Sequence, residues 1–354
     1  MKTFILVIVF LILASLGFPE IVGPLPEIMK PDNIAVYENE LAVVEGAEIS
    51  LYSLKDLKLK RKFGQKGEGP GELQVYTNVF YNKVSVFPDY IFVVGYTKFI
   101  FFSREGKFMK ERKKHFLVVQ AVPTGENFVV KRVRIDNDNK TMLNCISLYN
   151  SQMQEVKELY CQKFVQQGQA PAAKLDMIMD LLNFKVYDDK VFIEKSPKGF
   201  VIEVFDLKGN RLYQIEKDYE KIKVTEAHKK ETIERFKEDP RIRVGINQVG
   251  SWNELKKFFT MTFADFFPAM QSLDISNQKI YVQTSKVVDN KSEYVIMDLK
   301  GKVIKRVYLP WFENTPMMSK ILGAKLHTIY DDKLYYLLEN ENEEEWELHV
   351  EEIK

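Results

Sequence analysis

The sequence predicts an all-β fold, a six-bladed β-propeller with a helical insertion between blades 4 and 5, on three observations. A β-hairpin pattern recurs along the chain, short apolar strands led by Asx or Gly turns stand before the hairpins, and the final unit ends one strand short.

The hairpin is clearest at Val201–Ile215, VIEVFDLKGNRLYQI, where two alternating apolar runs flank a Lys-Gly-Asn turn. Relatives occur at Glu48–Phe63, Phe99–Arg112, Cys145–Tyr160 and Tyr294–Tyr308. The leading strands are Glu40–Val44, Tyr90–Val94, Asn127–Lys131, Lys190–Glu194, Lys279–Gln283 and Lys333–Leu337. Asn39, Asp89, Gly125, Asp188–Asp189, Asn277 and Asp331–Asp332 supply the turn chemistry that enters them. Another alternating run, such as Asn33–Tyr37 or Lys325–Tyr330, precedes each. Small four-stranded sheets repeated in this way bury their faces against one another around an axis.

Closure follows from the strand order. After Lys325–Tyr330, Lys333–Glu339 and Trp346–Ile353, no fourth strand remains for the last blade. The extended stretch Phe18–Ile28, FPEIVGPLPEI, is therefore expected to cross the seam and pair with Trp346–Ile353. Pro24 and Pro26 are compatible with that place, because a blade's outermost strand is an edge. Lysines of the first blade and glutamates of the last would then be neighbours, either paired or as two solvated faces.

A chain of 354 residues with 45% hydrophobic residues can form such a ring as one domain. Its 13% aromatic content, with Val and Ile throughout, favours strands. A formal charge of +1 gives no global attraction to nucleic acid or an anionic membrane. At the amino terminus, Lys2, the apolar run Phe4–Leu13 and then Ala14, Ser15 and Gly17 follow the order of a secretory signal. Residues 1–17 read as that signal and 18–354 as the propeller. The expectation is an exported monomer, in the periplasm, at the cell surface or outside, without an integral membrane span after signal removal. No cysteine follows the apolar run to accept a lipid anchor.

Between blades 1 and 2 lies FGQKGEGPGEL, Phe63–Leu73. Its Phe-Gly-x-x-Gly-x-Gly-Pro-Gly-Glu pattern resembles the linker of bacterial exported six-bladed β-propeller proteins related to NHL-repeat proteins. The resemblance implies a propeller fold and an exported location, in a group that includes binding scaffolds and some lyases or hydrolases. Read on its own, the stretch uses Gly64, Gly67, Gly69 and Gly71 to turn from an outer strand to the next inner strand, with Pro70 stiffening the path. A phosphate cradle would need a following Gly-Lys-Ser/Thr or a strand-to-helix Gly-x-Gly-x-x-Gly, and neither is present.

The remaining long joints, Gln162–Met179, Glu216–Ala269 and Pro310–Gly323, all connect an outer strand to the next inner strand. They are expected to gather on one face of the ring. The largest holds a lid-like helical insertion at residues 220–265, with Thr225 capping one helix and Ser251 and Glu254 opening another as a capping box. Its aromatic cluster, including Trp252 and Phe259, has two possible roles: the underside of a lid, or part of a pocket at the channel mouth.

Catalytic constellations are scarce. His115, His228, His327 and His349 show no metal-binding spacing, and no Gly-x-Ser-x-Gly elbow occurs. Asp136–Asn139 resembles the start of a calcium loop, but Thr141 and Ser147 stand where glycine and glutamate are needed. Cys145 and Cys161 flank one hairpin; the simplest register places Cys145 opposite a residue near Leu159, so a bridge requires a slight shift, and two separately packed thiols fit the sequence equally well.

The sequence thus points to a binding or interaction scaffold for a small molecule, glycan or protein, with no nucleic-acid partner, no identifiable catalysis and no cofactor. The ligand site is expected on the loop-rich face over the central channel. Candidate residues are Asp32, Asn33, Asn78 and Asn183 at inner-strand starts, Trp252 and Phe259 on the insertion, and His327 on an inner strand. The alternative is a channel-centred metal-dependent hydrolase or lyase of the lactonase or NHL-lyase type, with Ca²⁺ held by inner-strand oxygens.

Overall fold

Turn chemistry sets the sheets. In the computed structural model, the first hairpin turns of blades 4, 5 and 6 carry the pairs Asp188–Asp189, Asn277–Gln278 and Asp331–Asp332, all with φ between 48° and 59°. Paired left-handed residues match the twist of adjacent antiparallel strands. The structure describes residues 20–25, 27–75, 82–136, 141–166, 173–178, 180, 182–310, 324–340 and 345–354. The predicted signal segment, Asn78, residues 137–140 of the calcium-like loop, Pro26, and most of the joint 310–323 lie outside them.

Six sheets result, with strands A to D running outward from the axis. Blade 1 comprises Asn33–Tyr37, Glu40–Glu45, Glu48–Ser53 and Leu59–Phe63, and blade 2 Lys83–Val86, Tyr90–Val94, Lys98–Ser103 and Phe108–Lys113. Blade 3 comprises Val118–Thr124, Asn127–Asp136, Thr141–Tyr149 and Glu155–Gln166; blade 4, Phe184–Tyr187, Lys190–Glu194, Phe200–Asp206 and Arg211–Lys217. Blade 5 comprises Met270–Ser276, Lys279–Val288, Lys291–Asp298 and Val303–Pro310. Blade 6 takes His327–Tyr330, Lys333–Asn340 and Glu345–Glu352 from the end of the chain and Glu20–Pro24 from its start.

That last pairing closes the ring as the strand order requires. Glu20 faces Val350 and Pro24 faces Glu347. Leu25 donates its amide to the Trp346 carbonyl at 2.7 Å, and the Trp346 indole donates to the Met29 carbonyl at 3.1 Å. Leu25 and Ile28 are buried with Ile34, Tyr52, Leu337 and Leu348, so the seam has a core of its own. Among the described residues, no ion pair joins the lysines of blade 1 to the glutamates of blade 6; Lys60 pairs with Glu40 and Lys62 with Glu48 instead.

A buried apolar cluster fills each of the other blade interfaces too. Because both faces of a blade are covered, its middle strands are apolar in unbroken runs such as Ile91–Val94. The turns between strands C and D lock neighbouring blades together. Asp298 accepts the amides of Lys300 and Lys302 at 2.9 and 2.8 Å, as Asp206 does those of Lys208 and Asn210. Gly301 follows at φ 88°, where a Cβ would lie 2.5 Å from Ile215 Cγ2 of the preceding blade. Gly106 abuts Phe63, and Gly209 abuts Lys157, in the same relation.

The glycine-rich linker is a structural joint. Gly64 and Gly71 have positive φ, whereas a Cβ at Gly67 or Gly69 would meet the Glu72 carboxylate. Glu72 accepts the Gly69 amide at 2.8 Å and the Gln65 side chain at 2.7 Å, filling the concavity from within. Leu73 is then fully buried between blades 1 and 2.

Cys145 and Cys161 form a disulfide, their Cα atoms 4.1 Å apart. Irregularities between Ile146 and Ser147 and between Leu148 and Tyr149 shift the pairing, so that Cys161 rather than Leu159 faces Cys145.

The insertion contains helices α1 (Glu226–Glu238), α2 (Pro240–Val249) and α3 (Trp252–Leu255). Thr225 caps α1, with the His228 side chain completing the capping box, and Ser251 accepts the Glu254 amide at 3.2 Å. Phe259–Thr262 then pairs in parallel with Ala173–Asp176 in the joint between blades 3 and 4, which extends the blade 3 sheet to six strands. The insertion is thereby tied to the ring by backbone hydrogen bonds. No helix among the described residues is long and apolar enough to cross a membrane, which says nothing of β-barrels.

Candidate functional site

Inner strands of all six blades wall a central cavity of about 390 Å³. Each A strand starts on the face that carries the long joints, so the side chains at those starts ring one mouth of the channel. Lys83, Asn183 and Gln271 are placed there by blades 2, 4 and 5, and Asn33 and Lys325 by the seam. His327 lies further along the wall.

The asparagines hold the ring together. Asn33 Oδ1 accepts the Val84 amide of blade 2 at 3.2 Å, and Asn183 Nδ2 donates to the Gln271 carbonyl of blade 5 at 3.2 Å and to Glu194 at 3.1 Å. Asp32 Oδ2 accepts the Gly46 amide at 2.8 Å. Asn33 and Asp32 thus use side-chain oxygens on neighbouring backbone amides. Ca²⁺ seeks six to eight oxygens, and the lysines around these groups repel a cation. The described residues of this set therefore do not fit a calcium site.

Trp252 and Phe259 serve the insertion. With Phe236 they form a trio with ring centroids 5.9–6.2 Å apart, and Phe236 is almost fully buried. Neither Trp252 nor Phe259 is part of the wall of the channel cavity.

Sequence reasoning missed the lysines. Lys83, Lys131, Lys185 and Lys325 all line the cavity. Asp274 of blade 5 holds Lys185 of blade 4 at 2.6 Å and Lys325 at 2.9 Å. Burial opposes its charge, but these two ammoniums outweigh burial and hold the Asp274 carboxyl well below the usual carboxylate range. Burial draws Lys325 down to about 8 against the pull of Asp274.

On the opposite wall, burial and then the charges of Lys131 and Lys114 bring Lys83 down to about 7, with Asp32 opposing. Lys131 donates to the Leu182 carbonyl. Burial lowers it to about 8, against Glu194 and Asp180. Burial, then Asp180, pushes Glu194 up to about 8, and burial pushes Asp180 up to about 6. No local signal marks them: Lys83, Lys185 and Lys325 stand in or beside alternating runs, where a solvated lysine is equally expected.

No protein family model matches this chain, and no curated protein matches it. Among solved structures it is similar to the β-propeller domain of Myceliophteria thermophila Cps50 (Swd1), over 94% of this chain and 99% of that one, at 9% identity and a TM-score of 0.41. Kluyveromyces lactis Hsv2 aligns over 94% and 100% at 12% identity and 0.38, and BamB from Moraxella catarrhalis over 90% and 71% at 8% and 0.32. Likenesses of this size say nothing about activity, and the fold rests on the sheets themselves.

Proposed function

We propose that this chain is an exported β-propeller that acts as a binding scaffold, taking a small ligand at the loop-rich face over its central channel. The observation that carries it is the cavity of about 390 Å³ to which all six inner strands contribute, a size suited to a small molecule. Amide, hydroxyl and ammonium groups among its walls favour binding over a metal-centred reaction. Export is supported by the order of Lys2, Phe4–Leu13 and Gly17 and by the Cys145–Cys161 bridge, since disulfides persist in oxidising compartments. The likeness of Phe63–Leu73 to the linker of NHL-repeat-like exported propellers agrees with this.

The test is thermal unfolding of the purified disulfide-bonded protein against small acids, sugars and short peptides, with and without chelator. A chelator-insensitive rise in melting temperature is expected, lost in Ser85→Phe, which puts a ring into the cavity wall. Stoichiometric metal in the purified protein together with metal-dependent hydrolysis or elimination would establish the hydrolase or lyase alternative instead.

A further inference from the structure

The titratable side chains that wall the cavity are Lys83, Lys131, Lys185, Lys325 and His327; among the described residues, no aspartate or glutamate belongs to the wall. The acids stand behind it. Asp274 is shared between Lys185 and Lys325, one carboxylate for two ammoniums. Lys83 faces Asp32, Lys131 and Lys114, while Lys131 faces Glu194 and Asp180. Asp32 also accepts the Gly46 amide, and Glu194 Oε1 has no hydrogen-bond partner among the described residues. Four lysines border the space directly, whereas the four carboxylates that answer them, Asp32, Asp180, Glu194 and Asp274, stand outside its wall, so the charge that meets a ligand there is ammonium.

We propose that this cavity takes a small organic oxyanion, a carboxylate or phosphate carried on a polar body, with Lys83 and Lys131 as its principal counter-charges. The inference rests on the channel-site reading above and names the ligand class. A neutral ligand would leave the crowded ammoniums as they are, whereas an oxyanion between blades 2 and 3 relieves their mutual repulsion and gains charge-assisted hydrogen bonds. Hydroxyl groups of Ser85 and Thr328 in the same wall suit the hydroxyls or amides of such a ligand's body.

Proton linkage follows. Near pH 8, Lys83 and a share of Lys131 and Lys325 are deprotonated, and Glu194 is partly ionised. A bound anion favours the protonated form of every one of them, so binding takes up protons near pH 8; near pH 6 these groups are largely protonated already and Asp180, beside Lys131, is what still adds to the uptake.

The experiment is isothermal titration of the intact disulfide-bonded protein with glucuronate, glucose 6-phosphate, citrate and inorganic phosphate, and with glucose as a neutral match. Buffers of different ionisation enthalpy report proton uptake. At least one organic acid is expected to bind at least about tenfold more tightly than glucose, with proton uptake at pH 8. Lys83→Met and Lys131→Met are each expected to weaken it by about tenfold or more. Should either variant fail to fold, proton uptake by the wild-type protein still decides. Glucose binding as tightly as glucuronate, in wild type and lysine variants alike but not in Ser85→Phe, overturns the anion class and leaves the channel site standing. Acids that bind without proton uptake, or a complete lack of response to the acids at millimolar concentration, overturn the proposal.

Discussion

Asp274 of blade 5 and Lys325 beside blade 6 meet at 2.9 Å behind the channel wall, and the same carboxylate reaches across to Lys185 of blade 4. Three neighbouring blades therefore share one buried charge.

Replacing Asp274 by Ala leaves two ammoniums without their counter-charge and is expected to cost about 3–5 kcal/mol in urea unfolding. Adding Lys185→Met and Lys325→Met to that variant should recover most of the loss, because no uncompensated charge then remains. The folded carboxyl sits below its unfolded value, so the contribution is complete above about pH 4 and is lost as pH falls from there through the lower folded value. The gap between wild type and Asp274→Asn should accordingly narrow in strong acid.

Glu194 has the opposite sign. Burial, reinforced by Asp180, raises its folded value to about 8, so between the ordinary carboxylate range and pH 8 the folded state holds a proton the unfolded chain has lost. Its contribution falls as pH rises through that window, by up to about 1.4 kcal/mol per pH unit. Glu194→Gln should flatten this dependence and be more stable than wild type at pH 8, as read from urea midpoints across the range.

Gly301→Ala pairs a left-handed φ with a Cβ pressed against Ile215. A loss of about 2–4 kcal/mol is expected. Gly250 also has positive φ but nothing near its absent Cβ, so Gly250→Ala should cost only about 1 kcal/mol. Equal losses in guanidinium unfolding would show that the contact between blades contributes nothing.

Reducing the Cys145–Cys161 bridge, or replacing both cysteines with serine, releases a hairpin closed across a separation of 16 residues. Stability should drop by about 3 kcal/mol. Calorimetry with and without reductant measures it, and the serine double variant should be indifferent to reductant.

Much of the ring was legible because its signals are local. Asp188–Asp189, Asn277 and Asp331–Asp332 announce turns, and Ile91–Val94 announces a strand covered on both sides. The bridge was harder, since two irregularities in one hairpin shift Cys161 into place and no residue pattern marks them. Trp252 and Phe259 carry an aromatic signature that fits a pocket as well as the insertion's own core, and only the packing against Phe236 distinguishes these. Lys83, Lys131 and Lys325 look like solvated lysines in sequence. Their burial arises from neighbours contributed by other blades, which no local window contains.

The shared sheet of blade 6 also constrains how the molecule is made. Glu20–Pro24 finds its partner only once Glu345–Glu352 has been synthesised, so throughout elongation the flank of blade 1 that will hold Leu25, Ile34 and Tyr52 lacks its cover. A nascent chain carries that bare apolar surface until Glu345–Glu352 emerges, and it is there that a half-made molecule is open to wrong association.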